Sequence, residues 1–427
     1  MLTHRVRAWL RSIPMPRLRR IILGLYLTAA AADAAGKALV TNPAVNRALR
    51  HSVSPAVVGD IRSAAIPSGN FEIFRTASRH LVQGMDLYAE YPAEHSDRFK
   101  YSPTFALLFA PLAWIPWPLA LFLWSALNAL VLFAAVERAL PGRAGLISLL
   151  FLLLEVLRGM QNAQSNALVA GLIILGFVAL ERTHAWRAAV AVMLGACVKI
   201  FPLAALAFAI PRRMVLRTGA WAAVVGAALV ALPLLVTPWA TLLTQYASWR
   251  GVESSDALQR WFSVMELVHR WSGAAWPNWP VQLAGTLALL APLALRRDRW
   301  DHPDFRALFL CSALLYVVLF NHQAERASYL IAFTGATLWF AGSARERWET
   351  WLYALAFVTI PLMSTLIPGH FFRGRTVTLY RLVAPSLAIW LVIQWRLLRS
   401  AGVGTSASHH RQQVGLNKQE LNCGVEP

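Results

Sequence analysis

Apolar residues in this chain come in long blocks separated by short tracts that carry arginine, without alternating with polar residues. Runs such as 119–137, 166–180 and 219–237 leave no polar face to turn toward water, so each reads as a helix with apolar surroundings on every side. A helix needs about 20 residues to cross roughly 30 Å of hydrocarbon, and somewhat fewer where the bilayer thins. On that measure twelve spans are expected, at 21–36, 119–137, 144–158, 166–180, 188–199, 201–211, 219–237, 281–295, 306–321, 328–342, 350–366 and 383–398. Two places break the pattern. The stretch 103–115 is only about a dozen residues long between Tyr101 and the Pro116-Trp117-Pro118 break, so it is expected to be re-entrant or interfacial. The apolar segment 188–211 is interrupted at Lys199-Ile200-Phe201-Pro202, which makes it two short helices meeting at one face.

Charge gives these spans a direction. Arg5, Arg7, Arg11, Arg17, Arg19 and Arg20 precede the first apolar run, and basic tracts between spans orient a membrane protein with those tracts in the cytoplasm. Asp33 and Lys37 interrupt what would otherwise resemble a signal peptide, so that run reads as a retained first helix. Arg138 and Arg143, Arg182 to Arg187, Arg212 to Arg217, Arg296 to Arg299, Arg345 to Arg347 and Arg396 to Arg399 then all fall inside, and both termini are cytoplasmic. The outer face collects 37–101, 161–166, Lys199, 238–280, 321–328 and 368–381. The expected organisation is a basic cytoplasmic N-terminus at 1–20, a membrane domain at 21–400 with its large outer loops at 37–101 and 238–280, and a polar, disordered cytoplasmic tail at 401–427.

Composition agrees with a lipid environment. Of 427 residues 57% are apolar and 14% charged, too few polar groups to cover a water-soluble protein of this size. The net charge of +19 is spread over loops facing lipid headgroups, which excludes nucleic acid as the expected partner and leaves the bilayer itself. Cys197, Cys311 and Cys423 are too scattered for a disulfide framework or a metal-ligand spacing, so no metal and no cofactor are expected. The fold class is therefore all-α, a polytopic membrane helix bundle of the cell (inner) membrane.

Ionisable residues at the membrane edge are costly, and a cluster of them on one face marks transport or chemistry. The outer loops carry Gly69-Asn70-Phe71-Glu72-Ile73-Phe74-Arg75, Gly84-Met85-Asp86-Leu87-Tyr88 and Phe99-Lys100-Tyr101-Ser102-Pro103, followed by Gln161-Asn162-Ala163-Gln164-Ser165-Asn166, Lys199-Ile200-Phe201-Pro202 and Phe320-Asn321-His322-Gln323-Ala324-Glu325. Each admits a plain reading as well. Glu72 suits a helical pair with Arg75 or Arg79; Asp86 suits a turn after Gly84; Lys199 and Lys100 suit snorkelling at the headgroups; Glu325 and Arg326 suit a solvated helix end. The amide-rich turn around Gln161 and Asn162 suits hydroxyl recognition or simply a polar hairpin. Most of the 18 tryptophans fall at span borders, as interfacial belts do, although those between 238 and 280 alternate with Arg250, Glu253, Asp256 and Arg260 and could also stack on sugar rings.

Taken in order, the motifs from Asn70 to Arg213 resemble glycosyltransferase family 87, a group of polyprenyl-phosphate-sugar-dependent enzymes with a Gly-x-Asp-x-Tyr element, a Phe-x-Tyr-x-Pro element, a Gly-Gln-x-Asn element and a Lys-x-x-Pro element. The resemblance implies a GT-C-like helix bundle that moves a hexose, commonly mannose, from a polyprenyl-phosphate donor to an extracytoplasmic glycolipid or envelope-glycan acceptor, with inversion. It also implies an outer-loop carboxylate as base. The position where the family usually shows that aspartate holds Asn70 here, and an amide cannot accept the proton, so the role passes to Glu72 or Asp86, or less readily to Asp60. Lys100, Tyr101, Gln161, Asn162, Lys199, His322, Glu325 and Arg326 are the expected substrate-binding residues. Two other readings suit the same chain: a transporter or flippase of lipid-linked sugars, against which no internal repeat is visible, and a silent scaffold that binds the donor lipid without turnover.

Overall fold

The computed structural model describes residues 12–41, 69–95, 97–274, 277–366 and 374–399, and within these the backbone is helical, with no strand. The first eleven residues, Asp60 and the rest of 42–68, the segment 367–373, and the tail from 400 with Cys423 lie outside the described residues.

The first helix, α1 (Met15–Thr41), is followed by α2 (Gly69–Gln83) and α3 (Pro103–Ala113). Then come α4 (Trp117–Ala139), α5 (Arg143–Gln161), α6 (Asn166–Glu181), α7 (Ala185–Val198), a 3₁₀ helix over Phe201–Ala209, and α8 (Val215–Ala231). The segment 238–280 folds as α9 (Trp239–Asp256) and α10 (Val264–Ser272). The remainder is α11 (Trp279–Leu295), α12 (Pro303–Leu319), α13 (Tyr329–Gly342), α14 (Arg347–Phe357) with a π turn and a last helical turn to Leu366, and α15 (Arg375–Leu398).

Among the described residues, five helical segments are long and apolar enough to cross a bilayer: α1, α4, α5, 215–235 and α15. The other expected spans are shorter helices. The one at 201–211 is a nine-residue 3₁₀ helix over Phe201–Ala209. At 11 residues and about 1.5 Å per residue, α3 is too short to cross alone, as its length in the sequence implied.

Small residues let the helices approach. At Gly171 in α6 an added Cβ would meet Val131 of α4 at 2.8 Å from Cγ1 and 2.9 Å from the backbone carbon, so the α4–α6 contact depends on its absence. The loop helix α2 docks through aromatic edges: Phe74 packs against Tyr101, Phe105, Phe109 and Trp124 with centroids 4.9, 5.0, 5.4 and 5.8 Å away. Arg75 and Arg79 then reach past α2 to the carbonyl end of α3, with both donating to Ala113 O at 3.0 Å.

The two ends of the bundle are built differently. At one end Arg306 forms a fork with Glu181 at 2.7 and 2.8 Å, Arg296 donates to Leu398 O at 2.8 Å, Arg396 to Ala344 O at 2.9 Å, and Arg19 pairs with Glu137 at 2.7 Å. At the other end α5 gives way to α6, α7 breaks, α12 turns into α13, and α9 and α10 lie across the opening.

Candidate functional site

Local sequence sets each side chain at this second end. Ser102 caps α3, its Oγ accepting from Phe105 N at 3.2 Å, and Pro103 occupies the first turn where its missing N–H costs nothing. Lys100 and Tyr101 are thereby held immediately before the helix start. Ser102 also donates to Cys197 O at 2.6 Å, tying this turn to the end of α7. There Lys199 leaves the helix in an extended conformation, and Gly195 makes room for Pro202, to which an added Cβ would come within 3.1 Å. The Lys199 ammonium donates to Asn166 Oδ1 at 3.0 Å, and Asn166 Nδ2 to Gln164 Oε1 at 3.2 Å.

These groups line a cavity of about 450 Å³. Its walls include Asn70 of α2, Asp97, Arg98, Lys100 and Tyr101, Gln164, Lys199, Trp249, Glu253 and Asp256 of α9, Gln259 and Trp261, Gln282 of α11, Tyr316 and Phe320 of α12, and Asn321, His322, Gln323 and Glu325; Asp97 Oδ1 accepts from Arg98 N at 2.7 Å. The volume suits a sugar ring with part of a second group, and the aromatic and aliphatic lining suits a lipid stem.

Charge in the cavity is mixed and mostly paired. Asp256 holds Lys100 at 3.1 Å and accepts from Gln259 at 2.8 Å and Gln323 at 3.4 Å. Burial, and Asp256 beside it, push the Glu253 carboxyl above its ordinary range. His322 is pulled below its ordinary value by burial, so its imidazole is neutral near pH 7. Gln282 Nε2 lies 3.3 Å from His322 Nδ1; an amide N–H can only donate, so Nδ1 accepts and the proton sits on Nε2, which is buried and has no partner among the described residues. Glu325 differs from the other carboxylates. It lines the cavity, its carboxylate forms no hydrogen bond or ion pair among the described residues, and its charge supports the Lys199 ammonium against burial.

Of the expected site residues, Asn70, Lys100, Tyr101, Lys199, His322 and Glu325 come together here, and Glu72, Asp86, Gln161, Asn162 and Arg326 do not line the cavity. Glu72 accepts from Trp117 Nε1, an α2–α4 tie in place of the pair with Arg75 or Arg79. Asp86 is a turn residue: Gly84 takes φ +70°, and Asp86 Oδ1 accepts from Tyr88 N at 3.0 Å. Tyr88 in turn donates to Tyr101 O at 2.7 Å, so Asp86 acts on the site through the backbone beside Lys100. Asn162 gives its carbonyl to Asn70 Nδ2 at 3.0 Å, and Gln161 gives its carbonyl to Lys37 Nζ at 2.7 Å. Asn70 is thus fixed at the cavity wall, amide first.

Sequence reasoning nominated neither Glu253 nor Asp256, although both were noted among the tryptophans of the second loop. The signal was a spacing: Gln245, Trp249, Glu253 and Asp256 recur at i, i+4, i+8 and i+11, one face of α9. Gln245 clamps the Asp86 turn, donating to Met85 O at 2.8 Å and accepting from Leu87 N at 3.0 Å.

The profile of glycosyltransferase family 87 matches residues 99–321, from the residue before Lys100 to the residue before His322. A polyprenol-phosphate-mannose-dependent alpha-(1-2)-phosphatidylinositol mannoside mannosyltransferase of Mycolicibacterium smegmatis is 24% identical over 387 residues, covering 81% of this chain and 87% of that one. With the family profile running through more than half of its length and across most of the cavity, this chain belongs to glycosyltransferase family 87.

Proposed function

We propose that this protein transfers a mannosyl residue from a polyprenyl-phosphate donor to a hydroxyl of an extracytoplasmic glycolipid or envelope glycan. The relative's dependence on polyprenol-phosphate-mannose supports the donor. The basic tracts in the short connections at the opposite end, Arg138 to Arg143, Arg182 to Arg187, Arg212 to Arg217 and Arg296 to Arg299, support a cytoplasmic placement for that end and for both termini, with the cavity at the outer face of the cell membrane.

In this reading an acceptor oxygen attacks the anomeric carbon, the bond from that carbon to the phosphate oxygen breaks, and the lipid phosphate departs with the electron pair. One-step displacement inverts the anomeric centre. The acceptor proton goes to Glu325, and the single observation that carries this assignment is that Glu325 alone among the carboxylates of α9 and the 321–325 turn has both oxygens free toward the cavity. Lys199, with one of three N–H groups spent on Asn166, lines the same space and would stabilise charge growing on the departing phosphate. The Lys100–Asp256 pair positions the α9 wall, and Trp249 secures it by donating to Lys100 O at 3.2 Å.

The test is transfer of radiolabelled mannose from polyprenyl-phosphate-mannose to extracted membrane lipids by the purified protein in nanodiscs. Labelled glycolipid is the expected result. Donor that binds and is never consumed, across a panel of lipid and glycan acceptors, would replace this reading with the silent scaffold that Asn70 also permits.

A further inference from the structure

Apolar residues reach the transfer cavity from two segments. Ile200, Leu203 and Ala204 come from the break after α7 and the 3₁₀ helix, and Tyr316, Val317 and Phe320 from the C-terminal end of α12. The two segments pack on each other, Phe208 against Phe309 with ring centroids 5.8 Å apart, so their cavity-lining residues adjoin as one apolar wall. Lys199 immediately precedes Ile200, and a phosphate held by its ammonium therefore starts its chain on this wall.

Helix α11 meets the same wall through Gln282, Gly285 and Thr286, which share one face at i, i+3 and i+4. Gln282 Nε2 donates to Phe320 O at 3.4 Å, and Thr286 Oγ1 lies 2.6 Å from the Tyr316 hydroxyl. Between them the Phe320 ring lies directly over Gly285. An added Cβ there would stand 2.2 Å from Phe320 Cδ1, 2.4 Å from Cε1 and 2.6 Å from Cγ. Glycine inside a helix is unfavourable relative to alanine, and at this position the ring takes the space that alanine would need. Phe320 is also bounded by Tyr316, stacked with centroids 5.4 Å apart, and by the buried Trp390 of α15 at 5.1 Å. The side that remains is the cavity, which Phe320 lines, so a ring pushed off Gly285 moves into the cavity.

We propose that Gly285 is a specificity-determining residue: by seating the Phe320 ring against α11 it keeps the apolar wall open wide enough for a branched isoprenoid chain beside the phosphate. This rests on the polyprenyl-phosphate reading of the donor. Each isoprene unit carries a methyl branch that a straight alkyl chain lacks, so a narrowed cavity rejects the isoprenoid before the alkyl chain.

The protein in nanodiscs is titrated with farnesyl phosphate and with dodecyl phosphate, an unbranched chain of the same length, and affinity is read by thermal shift and native mass spectrometry. Gly285→Ala is expected to weaken farnesyl phosphate about tenfold or more and dodecyl phosphate only about threefold, the cost of overfilling a packed site. Adding Phe320→Leu to Gly285→Ala clears the displaced ring and should return farnesyl phosphate to within about threefold of the parent. Phe320→Leu alone should shift the ratio of affinities further toward farnesyl phosphate, and that ratio decides the question should Gly285→Ala fail to fold. Unchanged affinities in Gly285→Ala, equal losses of both ligands without recovery in the double variant, or an unshifted ratio in Phe320→Leu would each overturn the proposal while leaving the donor reading in place. A parent protein that binds neither phosphate removes the donor reading, and the role of Gly285 with it.

Discussion

Glu325→Gln separates catalysis from folding cleanly, because the native side chain makes no hydrogen bond or ion pair among the described residues that the substitution could break. An exposed glutamate without partners is worth about 0.5 kcal/mol or less to stability, so the unfolding midpoint in detergent should hardly move. Removal of a general base costs about 10²- to 10⁴-fold in rate, equivalent to about 3 to 5 kcal/mol of the activation barrier. The loss should fall on kcat, since the donor's phosphate contact at Lys199 remains. The assay is steady-state transfer of labelled mannose at saturating donor, with Glu72→Gln as the control. Glu72 accepts from Trp117 and does not line the cavity, so that variant should lose about 1 kcal/mol of stability and keep its kcat within about threefold. Asn70→Asp introduced into Glu325→Gln places a carboxylate on the same cavity and should recover part of the lost rate. Glu325→Gln turning over within about threefold of the parent, while Glu72→Gln is inactive, would refute the reasoning and return the base to α2.

Two further expectations concern the frame around the site. Ionisation of Glu253 is opposed by burial and then by Asp256, so its folded pKa lies above the unfolded value of about 4.3; its favourable contribution is present below that value and is lost as pH rises through the folded one. Glu253→Gln should therefore match the parent in unfolding midpoint near pH 4 and exceed it increasingly toward pH 8, and a difference that does not change with pH would contradict this. At the opposite end, Glu181→Ala strands Arg306, whose side chain is 6% exposed, without its fork; since Glu181 is itself a quarter exposed, the cost should lie near the lower end for buried pairs, about 3 kcal/mol, measured by thermal unfolding in detergent.

Much of this protein is decided by local pattern. Uniformly apolar blocks punctuated by arginine can be read without any tertiary information, because lipid demands that each segment satisfy its own backbone and the insertion machinery reads loop charge. The break at Lys199 and the start of a short segment at Pro103 were equally legible, since proline acts within one turn of chain. What the sequence could not decide is which ionisable side chains face one another. Glu72 and Asp86 have the residue type and the loop position that a base would need, yet an indole and a turn amide take their oxygens, and those partners lie in α4 and at Tyr88. Asp256 meets Lys100 across 156 residues, and Arg326 meets Arg158 and Arg381 around Ser364, from helices whose order along the chain carries no trace of the meeting. Adjacent residues Glu325 and Arg326 even serve opposite sides of one wall. Residue type and period fix how each helix forms and whether it seeks lipid, but the pairing of charges depends on how the helices rotate and pack, and that is set only by the tertiary structure.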